Sequence, residues 1–349
     1  MKHQTTRYGE IPFYKIGTFG NTADAFISKK LFLEYKTKYS FPKKGDILIS
    51  ASGTIGRAVI YDGKPAYFQD SNIVWIDNDE TLVKNDFLFY AYSNVKWNTE
   101  HTTILRLYND NFRNTLIPIP PLNEQSAIAN ILSDLDRYLC TLDALILKKE
   151  GVKKALSFEL LSQRKRLKGF NQAWQKVRLG DIANYSTSNL SVEQITQQGK
   201  IKVYDVNNFI GYTDTTFISD KPYISIIKDG SVGRVRILPP KTNILSTMGA
   251  LIANHRTTTE FLFYLLSNFD FKNFTSGSII PHIYFKDYKE KTIFLPPLNE
   301  QSAIANILSD LDNEITSLKN KKRQFENIKK ALNHDLMSAK IRVLKKSVL

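Results

Sequence analysis

The stretch PPLNEQSAIANILSDLD occupies Pro120–Asp136 and returns unchanged as Pro296–Asp312. The copies lie 176 residues apart in a chain of 349. Solenoid units run roughly 20 to 50 residues, so an offset this long marks two copies of a whole module. The same offset carries KKAL at Lys153–Leu156 onto KKAL at Lys329–Leu332. Two prolines fix an extended lead-in, Asn123 or Asn299 offers an N-cap, and Glu124 or Glu300 suits the positive end of a helix dipole. Apolar residues then recur at steps of three and four: Ile128, Leu132, Leu135, Leu139, Leu142, Ile146, and later Leu156 and Leu160. The second copy has Ile304, Leu308, Leu311, Ile315, Leu318, Phe325, Leu332, Leu336 and Val343. That is a heptad seam. It predicts two helices of about 44 residues, roughly 65 Å each at 1.5 Å per residue. Helices this long need a partner, and the other copy is the obvious one. The expected arrangement is an antiparallel coiled coil with a globular domain at each end; the alternative is two amphipathic helices packed on their own domains. Glu150-Gly151 is expected to weaken or interrupt the first helix, since glycine costs about 1 kcal/mol in a helix interior.

Upstream of each repeat the copies are related but divergent. FLFYAYSN at Phe87–Asn94 matches FLFYLLSN at Phe261–Asn268, and GTIGR at Gly53–Arg57 matches GSVGR at Gly230–Arg234. GDILISASGTIGRAVIYDG reads as strand, glycine turn, strand, KPAYFQDSNIVWID as two further short strands, and NDFLFYAYSN as a helix. An α+β class with an internal pseudo-two-fold repeat follows, divided as domain 1–119, helix 120–168, domain 169–295 and helix 296–349. Divergent domains on a constant frame are what two binding modules with different targets would look like.

Composition narrows the function. With 42% hydrophobic residues the chain can bury real cores. A single cysteine, Cys140, argues against a disulfide scaffold or a cysteine-based zinc site and fits a reducing, cytoplasmic setting. The start has no apolar h-region, and no run of about 18 apolar residues occurs, so neither secretion nor membrane spanning is expected. A net charge of +14 calls for an anionic partner, nucleic acid first. The excess sits on the helices: residues 137–168 carry nine Lys/Arg against three Asp/Glu, and 313–349 carry ten against three. A solvated helix face and a basic strut beside a phosphate backbone are both open readings. There is no G-x-x-x-x-G-K-[ST] loop, no G-x-G-x-x-G after a strand, and no H-x-x-x-H among His3, His101, His255, His282 and His334. A binding protein is expected, not an enzyme, with no metal or cofactor of its own.

The doubled lead-in, Ile119–Gln125 and Leu295–Gln301, is each time followed by a long helix ending in RKRL or KIRV. Together with the G-[TS]-[IV]-G turns and the W-x-x-V-x-L-G-D-I opening at Trp174–Ile182, it resembles the specificity subunits of type I restriction-modification enzymes. The resemblance implies a DNA reader without chemistry of its own, acting in phage defence. Two target-recognition domains would each read half of an asymmetric bipartite site in double-stranded DNA, with paired helices as spacer. Two methyltransferase subunits would dock and bring S-adenosylmethionine-dependent adenine methylation. Two restriction subunits would add ATP- and Mg-dependent translocation and cleavage. One departure stands out: GKIKVYDV at Gly199 follows Trp174 by 25 residues, whereas its apparent equivalent, GEIPFYKI, already begins at Gly9. Either the gene starts upstream or the first half lacks a strand.

Arg suits guanine and Asn or Gln adenine, while Lys and hydroxyls hold phosphates. On that chemistry the DNA-binding candidates of the first domain are Lys43, Lys44, Ser52, Thr54, Arg57, Arg106, Tyr108, Asn109 and Arg113. Those of the second are Ser231, Arg234, Arg236, His255, Arg256, Ser276, Ser278, His282, Tyr284 and Lys286. Arg57 and Arg234 lead, because both copies place Arg directly after the glycine turn. Gln125, Asn130, Asp134, Gln301, Asn306 and Asp310 are the candidate methyltransferase-docking positions, since two identical partners need two identical sockets. The competing readings are a coiled-coil scaffold that never reads DNA, a decayed reader with an incomplete first domain, and, weakest, a nuclease with a dispersed acidic site.

Overall fold

Two helices of equal length run through the chain. A computed structural model describes residues 4–68, 72–97 and 106–344. In chain order the elements are β1 (Ile11–Tyr14), β2 (Phe26–Ile27), α1 (Lys29–Lys38), β3 (Ile47–Ser50), β4 (Ala58–Ile60), β5 (Tyr67–Phe68), β6 (Ile73–Trp75), α2 (Asn85–Tyr92), α3 (Asn109–Arg113) and α4 (Leu122–Leu161). There follow β7 (Gln175–Arg178), β8 (Ala183–Thr187), β9 (Ile201–Tyr204), β10 (Phe209–Thr213), β11 (Tyr223–Ile227), β12 (Val235–Leu238), β13 (Thr242–Ile244) and β14 (Met248–Ala253). The chain continues through α5 (Thr259–Ser267), β15 (Thr275–Ser276), β16 (His282–Ile283), α6 (Phe285–Tyr288), β17 (Thr292–Leu295) and α7 (Leu298–Met337). The class is α+β, built on an internal repeat.

The chain divides into two compact units, Met1–Asp143 with Asn320–Leu349, and Ala144–Lys319. The division falls inside α4 and α7, so each unit holds one globular part and a length of both helices. In the first unit Asp136 pairs with Lys329, Asp143 with Lys322 at 2.6 Å, and the Tyr138 ring lies 4.7 Å from that of Phe325. In the second, Lys149 pairs with Glu314 at 2.7 Å and Lys153 with Asp312 at 2.5 Å. Within each unit, moving forward along α4 means moving back along α7: the helices are antiparallel. Ile128, Leu132, Leu142, Ile146, Leu160, Ile304, Leu308, Ile315 and Leu336 are buried along the pairing, as the heptad spacing requires.

Two local expectations are corrected. Gly151 does not interrupt α4, which passes through it unbroken; a Cβ there would meet nothing within 4 Å, so the glycine sits on the outer surface. One helical glycine costs about 1 kcal/mol, less than the flanking seam supplies. The helices also begin at Leu122 and Leu298, one residue before the asparagines. Asn123 and Asn299 instead accept from the amides of Glu124 and Glu300 at 2.9 Å inside the first turn.

In the first unit β1 lies between β2 and β5, and β3 between β4 and β6. The GDILIS…AVIYDG segment forms the antiparallel β3–β4 hairpin, Ile47 opposite Ile60. The QDS stretch of KPAYFQDSNIVWID lies outside the described residues, between β5 and β6. In the second unit a four-stranded antiparallel sheet, β12-β11-β14-β8, stands beside β10-β9-β13, with β15-β16 and β17-β7 as two-stranded pairs. β11 is buried at every position, the mark of a central strand covered on both faces. The helices α2 and α5 come from the matched FLFY motifs and bury Phe87 and Phe261. β7 and β8 have no counterpart among the described residues of the first unit. No described helix is long and apolar enough to cross a membrane.

Candidate nucleic-acid interface

Each globular part is fastened to its length of helix by a duplicated set of polar contacts. Tyr90 of α2 donates to Asp136 at 2.8 Å, and Lys329 pairs with the same carboxylate and lies over the Tyr90 ring. Tyr264 of α5, Asp312 and Lys153 repeat the arrangement, with bonds of 3.0 and 2.5 Å. Burial, and then the bond to the carboxylate, pushes both phenols well above their usual range, so they stay protonated donors. Glu124 is gripped by two guanidinium nitrogens of Arg342, which hold its carboxyl below the usual range. Arg166 grips Glu300 in the same way, at 2.6 Å.

Gln125 and Gln301 correct the docking expectation. Both are 0% exposed. Gln301 accepts from the amide of Thr258 at 3.0 Å and donates to the carbonyls of Arg256 and Pro296 at 2.9 and 2.8 Å. Gln125 does the same for Lys84, Leu82 and Pro120. A primary amide is the side chain that both donates and accepts, and here it satisfies backbone groups at the helix start. Asn130, Asp134, Asn306 and Asp310 are exposed, as a docking surface requires.

The GTIGR and GSVGR turns stand on the same backbone frame in both units. Gly56 donates to the carbonyl of Ser50 at 3.0 Å, and Gly233 to that of Ile227 at 2.9 Å. A Cβ on Gly56 would strike Trp97 at 2.4 Å, and one on Gly233 would strike Phe271 at 2.7 Å; both have positive φ. An aromatic ring against a left-handed turn therefore demands glycine. Facing each turn is a short extended segment: Leu107 donates to Ala51 at 2.8 Å, and Ile283 to Lys228 at 2.9 Å. Isolated bridges join Ser52 to Arg106 in one unit and Asp229 to His282 in the other.

On this shared frame the side chains differ. In the first unit the Ser52 hydroxyl donates to Asn72 at 2.8 Å, and Arg106 reaches the same Asn72 oxygen at 3.4 Å. In the second, His282 Nδ1 lies 2.6 Å from Asp229. Arg57 is exposed and is aimed by the carbonyl of Phe19 at 2.9 Å. Arg234 reaches Asn207 Oδ1 at 3.4 Å, and Arg236 donates to the Asn207 carbonyl at 2.8 Å while covering the Tyr204 ring. Tyr108 and Tyr284 are exposed at matching positions, each directly after the facing segment, and Lys286 lies over the Tyr284 ring.

The structure thus gathers Ser52, Thr54, Arg57, Arg106 and Tyr108 around one turn. It gathers Ser231, Arg234, Arg236, Ser276, His282, Tyr284 and Lys286 around the other. Ser278 lies on the exposed β15–β16 connection with Ile279 and Ile280; the corresponding first-unit residues, 98–105, are outside the described set. Other candidates fall elsewhere. Lys43 and Lys44 precede β3, at the opposite end of that strand from Ser52, and Lys43 is paired with Asp77 at 3.1 Å. His255 and Arg256 lie at the entry to α5, where Arg256 bonds to Gln175 at 3.1 Å. Asn109 and Arg113 belong to α3, with Arg113 paired to Asp110 at 3.5 Å. Sequence reasoning misses Asn72, Asn207 and Asp229, because they are remote in the chain from the side chains they orient. Of the three, only Asp229 carries a signal, lying directly before the Gly230 turn.

Two α+β units, each presenting a differently furnished turn beside an identical helix start, define a duplicated binding module. The chain belongs to the type I restriction-modification DNA specificity family: the family model described as "Type I restriction modification DNA specificity domain" matches residues 1–149 and again 171–327. It is 64% identical over 137 residues to a putative type I restriction enzyme specificity subunit of Haemophilus influenzae, a match covering 39% of this chain and 36% of that protein. It is 29% identical to the putative MjaX specificity subunit of Methanocaldococcus jannaschii over 86% of this chain and 79% of that one. In fold it is similar to the crystal structure of an S subunit from M. genitalium, at TM-score 0.62 and 20% identity, covering 97% of this chain and 91% of that one.

Proposed function

We propose that this chain is the non-catalytic DNA-reading subunit of a type I restriction-modification complex, and that each unit reads one half of an asymmetric bipartite site. One observation carries the proposal. The two glycine turns share their backbone hydrogen bonds, yet Ser52–Asn72–Arg106 occupies in one the place that Asp229–His282 takes in the other. A constant frame with exchanged donors and acceptors is what reading two different half-sites requires. Asn130, Asp134, Asn306 and Asp310, exposed on identical helix starts, would dock two methyltransferase subunits. S-adenosylmethionine, ATP and Mg would belong to those and to restriction subunits.

Co-expression with the cognate methyltransferase subunit, followed by single-molecule mapping of methylated adenines, tests the reading. A gapped two-part motif is the expected outcome. A motif with only the second unit's half defined would make the first unit a decayed reader. A stable complex that methylates nothing would favour the scaffold.

A further inference from the structure

The two glycine turns carry different side chains at one matching place. Antiparallel bridges put Ser52 beside Arg106 in the first unit and Asp229 beside His282 in the second. Arg106 and His282 are 176 residues apart, the offset of the repeat. Each is followed by a buried residue whose amide closes onto the turn, Leu107 onto Ala51 and Ile283 onto Lys228. A guanidinium can only donate. What a neutral imidazole does depends on which nitrogen carries the proton, and the partner of the other nitrogen decides that.

His282 is held at both corners of its ring next to Cγ. Nδ1 lies 2.6 Å from Asp229 Oδ1. Cδ2 sits beside Gly277, where an added Cβ would come within 3.1 Å of it. The tip of the ring is what remains: the His282 side chain is 35% exposed, and among the described residues no group bonds Nε2. His282 and the exposed Tyr284 share one face of the extended segment, with the buried Ile283 on the other. The two rings are 6.4 Å apart and nearly parallel.

We infer that Asp229 is a positioning residue that makes His282 a fixed acceptor, whose Nε2 takes a hydrogen bond from the exocyclic amino group of an adenine or a cytosine. The inference rests on the proposed reading function and deepens it. A carboxylate only accepts, so the shared proton belongs on Nδ1 and the lone pair of the neutral ring is left on Nε2. In the major groove the amino groups of adenine and cytosine are the donors that base edges offer, whereas guanine offers two acceptors. The place that donates through Arg106 in one unit therefore accepts through His282 in the other. Arg106 suits guanine, and His282 rejects it, because two lone pairs would face each other.

Two measurements test this. The first uses the full chain labelled with [15N]histidine, without DNA and at alkaline pH, with His282→Gln identifying the signals of that ring. Long-range 1H–15N correlation spectra are expected to show a protonated Nδ1 and an unprotonated Nε2. Asp229→Asn, whose amide can donate or accept, and Asp229→Ala are expected to move the proton partly or wholly to Nε2. A ring protonated on Nε2 in the unaltered chain, or a tautomer that neither substitution moves, would overturn the inference. The second uses the complex assembled with its methyltransferase subunit and DNA in which purine replaces adenine, or pyrimidin-2-one replaces cytosine, one position at a time across the mapped site. At one position, loss of the amino group should weaken binding by about 10- to 100-fold, with little such loss when the chain carries His282→Ala. The base at that position distinguishes adenine from cytosine. Equal losses for both chains at every position would overturn the base contact even with the tautomer as expected. A complex without sequence preference would sink the reading function and the base contact together, and the tautomer spectra would stand apart from that failure.

Discussion

Arg57 shows how a single residue is made into a reader. Its backbone closes the glycine turn through the Ser50 hydroxyl at 3.0 Å, and its guanidinium is aimed by one carbonyl while staying exposed. Four of its five N–H donors are left for a base edge, which suits guanine. Arg57→Ala is expected to weaken binding by about 10- to 100-fold, roughly 1–3 kcal/mol, and to relax one half-site only. Competition binding of the assembled complex against sites altered in either half measures this. Equal loss at both halves would mean a structural role. Arg57 and Arg234 are legible in the sequence because a motif repeats around them. Asn72 and Asn207 are not, since a residue that orients another from a segment remote in the chain leaves no local pattern.

At the scale of the element, the repeat's identity serves the frame. Gln301 satisfies one part-buried amide, one part-buried carbonyl and one buried carbonyl, and each group left unpaired out of water costs about 1–3 kcal/mol. Gln301→Ala should therefore lower unfolding stability by at least about 2 kcal/mol in denaturant titration, whereas Asn306→Ala, on the exposed face, should change it little. Glu124 gives the frame a pH dependence. Arg342 holds its folded carboxyl below the unfolded value, so its contribution is present above the ordinary carboxylate pKa and fades as pH falls through the depressed one. Glu124→Gln is expected to be less stable at neutral pH and to lose less stability between neutral and acid conditions. Thermal melts across that range give the comparison; parallel curves for the two proteins would refute the assignment.

For the whole molecule, part of the basic excess on the helices is answered from within the fold. Lys149, Lys153, Arg166, Lys319, Lys322, Lys329 and Arg342 all face acidic partners on or beside the opposite helix. Engaged in pairing, these residues are lost to a basic strut as phosphate contacts. DNA affinity of the assembled complex is still expected to fall with salt, because the turn-side Arg and Lys release counterions on binding. Affinities measured over a salt series should show Arg57→Ala shifting the curve without flattening it if Arg57 reads a base. A shallower slope would make it a phosphate contact.

The doubled PPLNEQSAIANILSDLD, its heptad continuation and the paired glycine turns determined the repeat, the long antiparallel helices, the α+β class and the family. All of these depend on local periodicity, and periodicity survives in one dimension. The tertiary structure decided the rest. It turned Gln125 and Gln301 inward, set Lys43 and Lys44 at the opposite end of β3 from the turn, and joined Ser52 to Asn72 and Asp229 to His282. The reason is common to all three. Burial and side-chain partnership are set by which remote segments the sheets and helices bring together, and the spacing of residues along the chain does not encode that meeting.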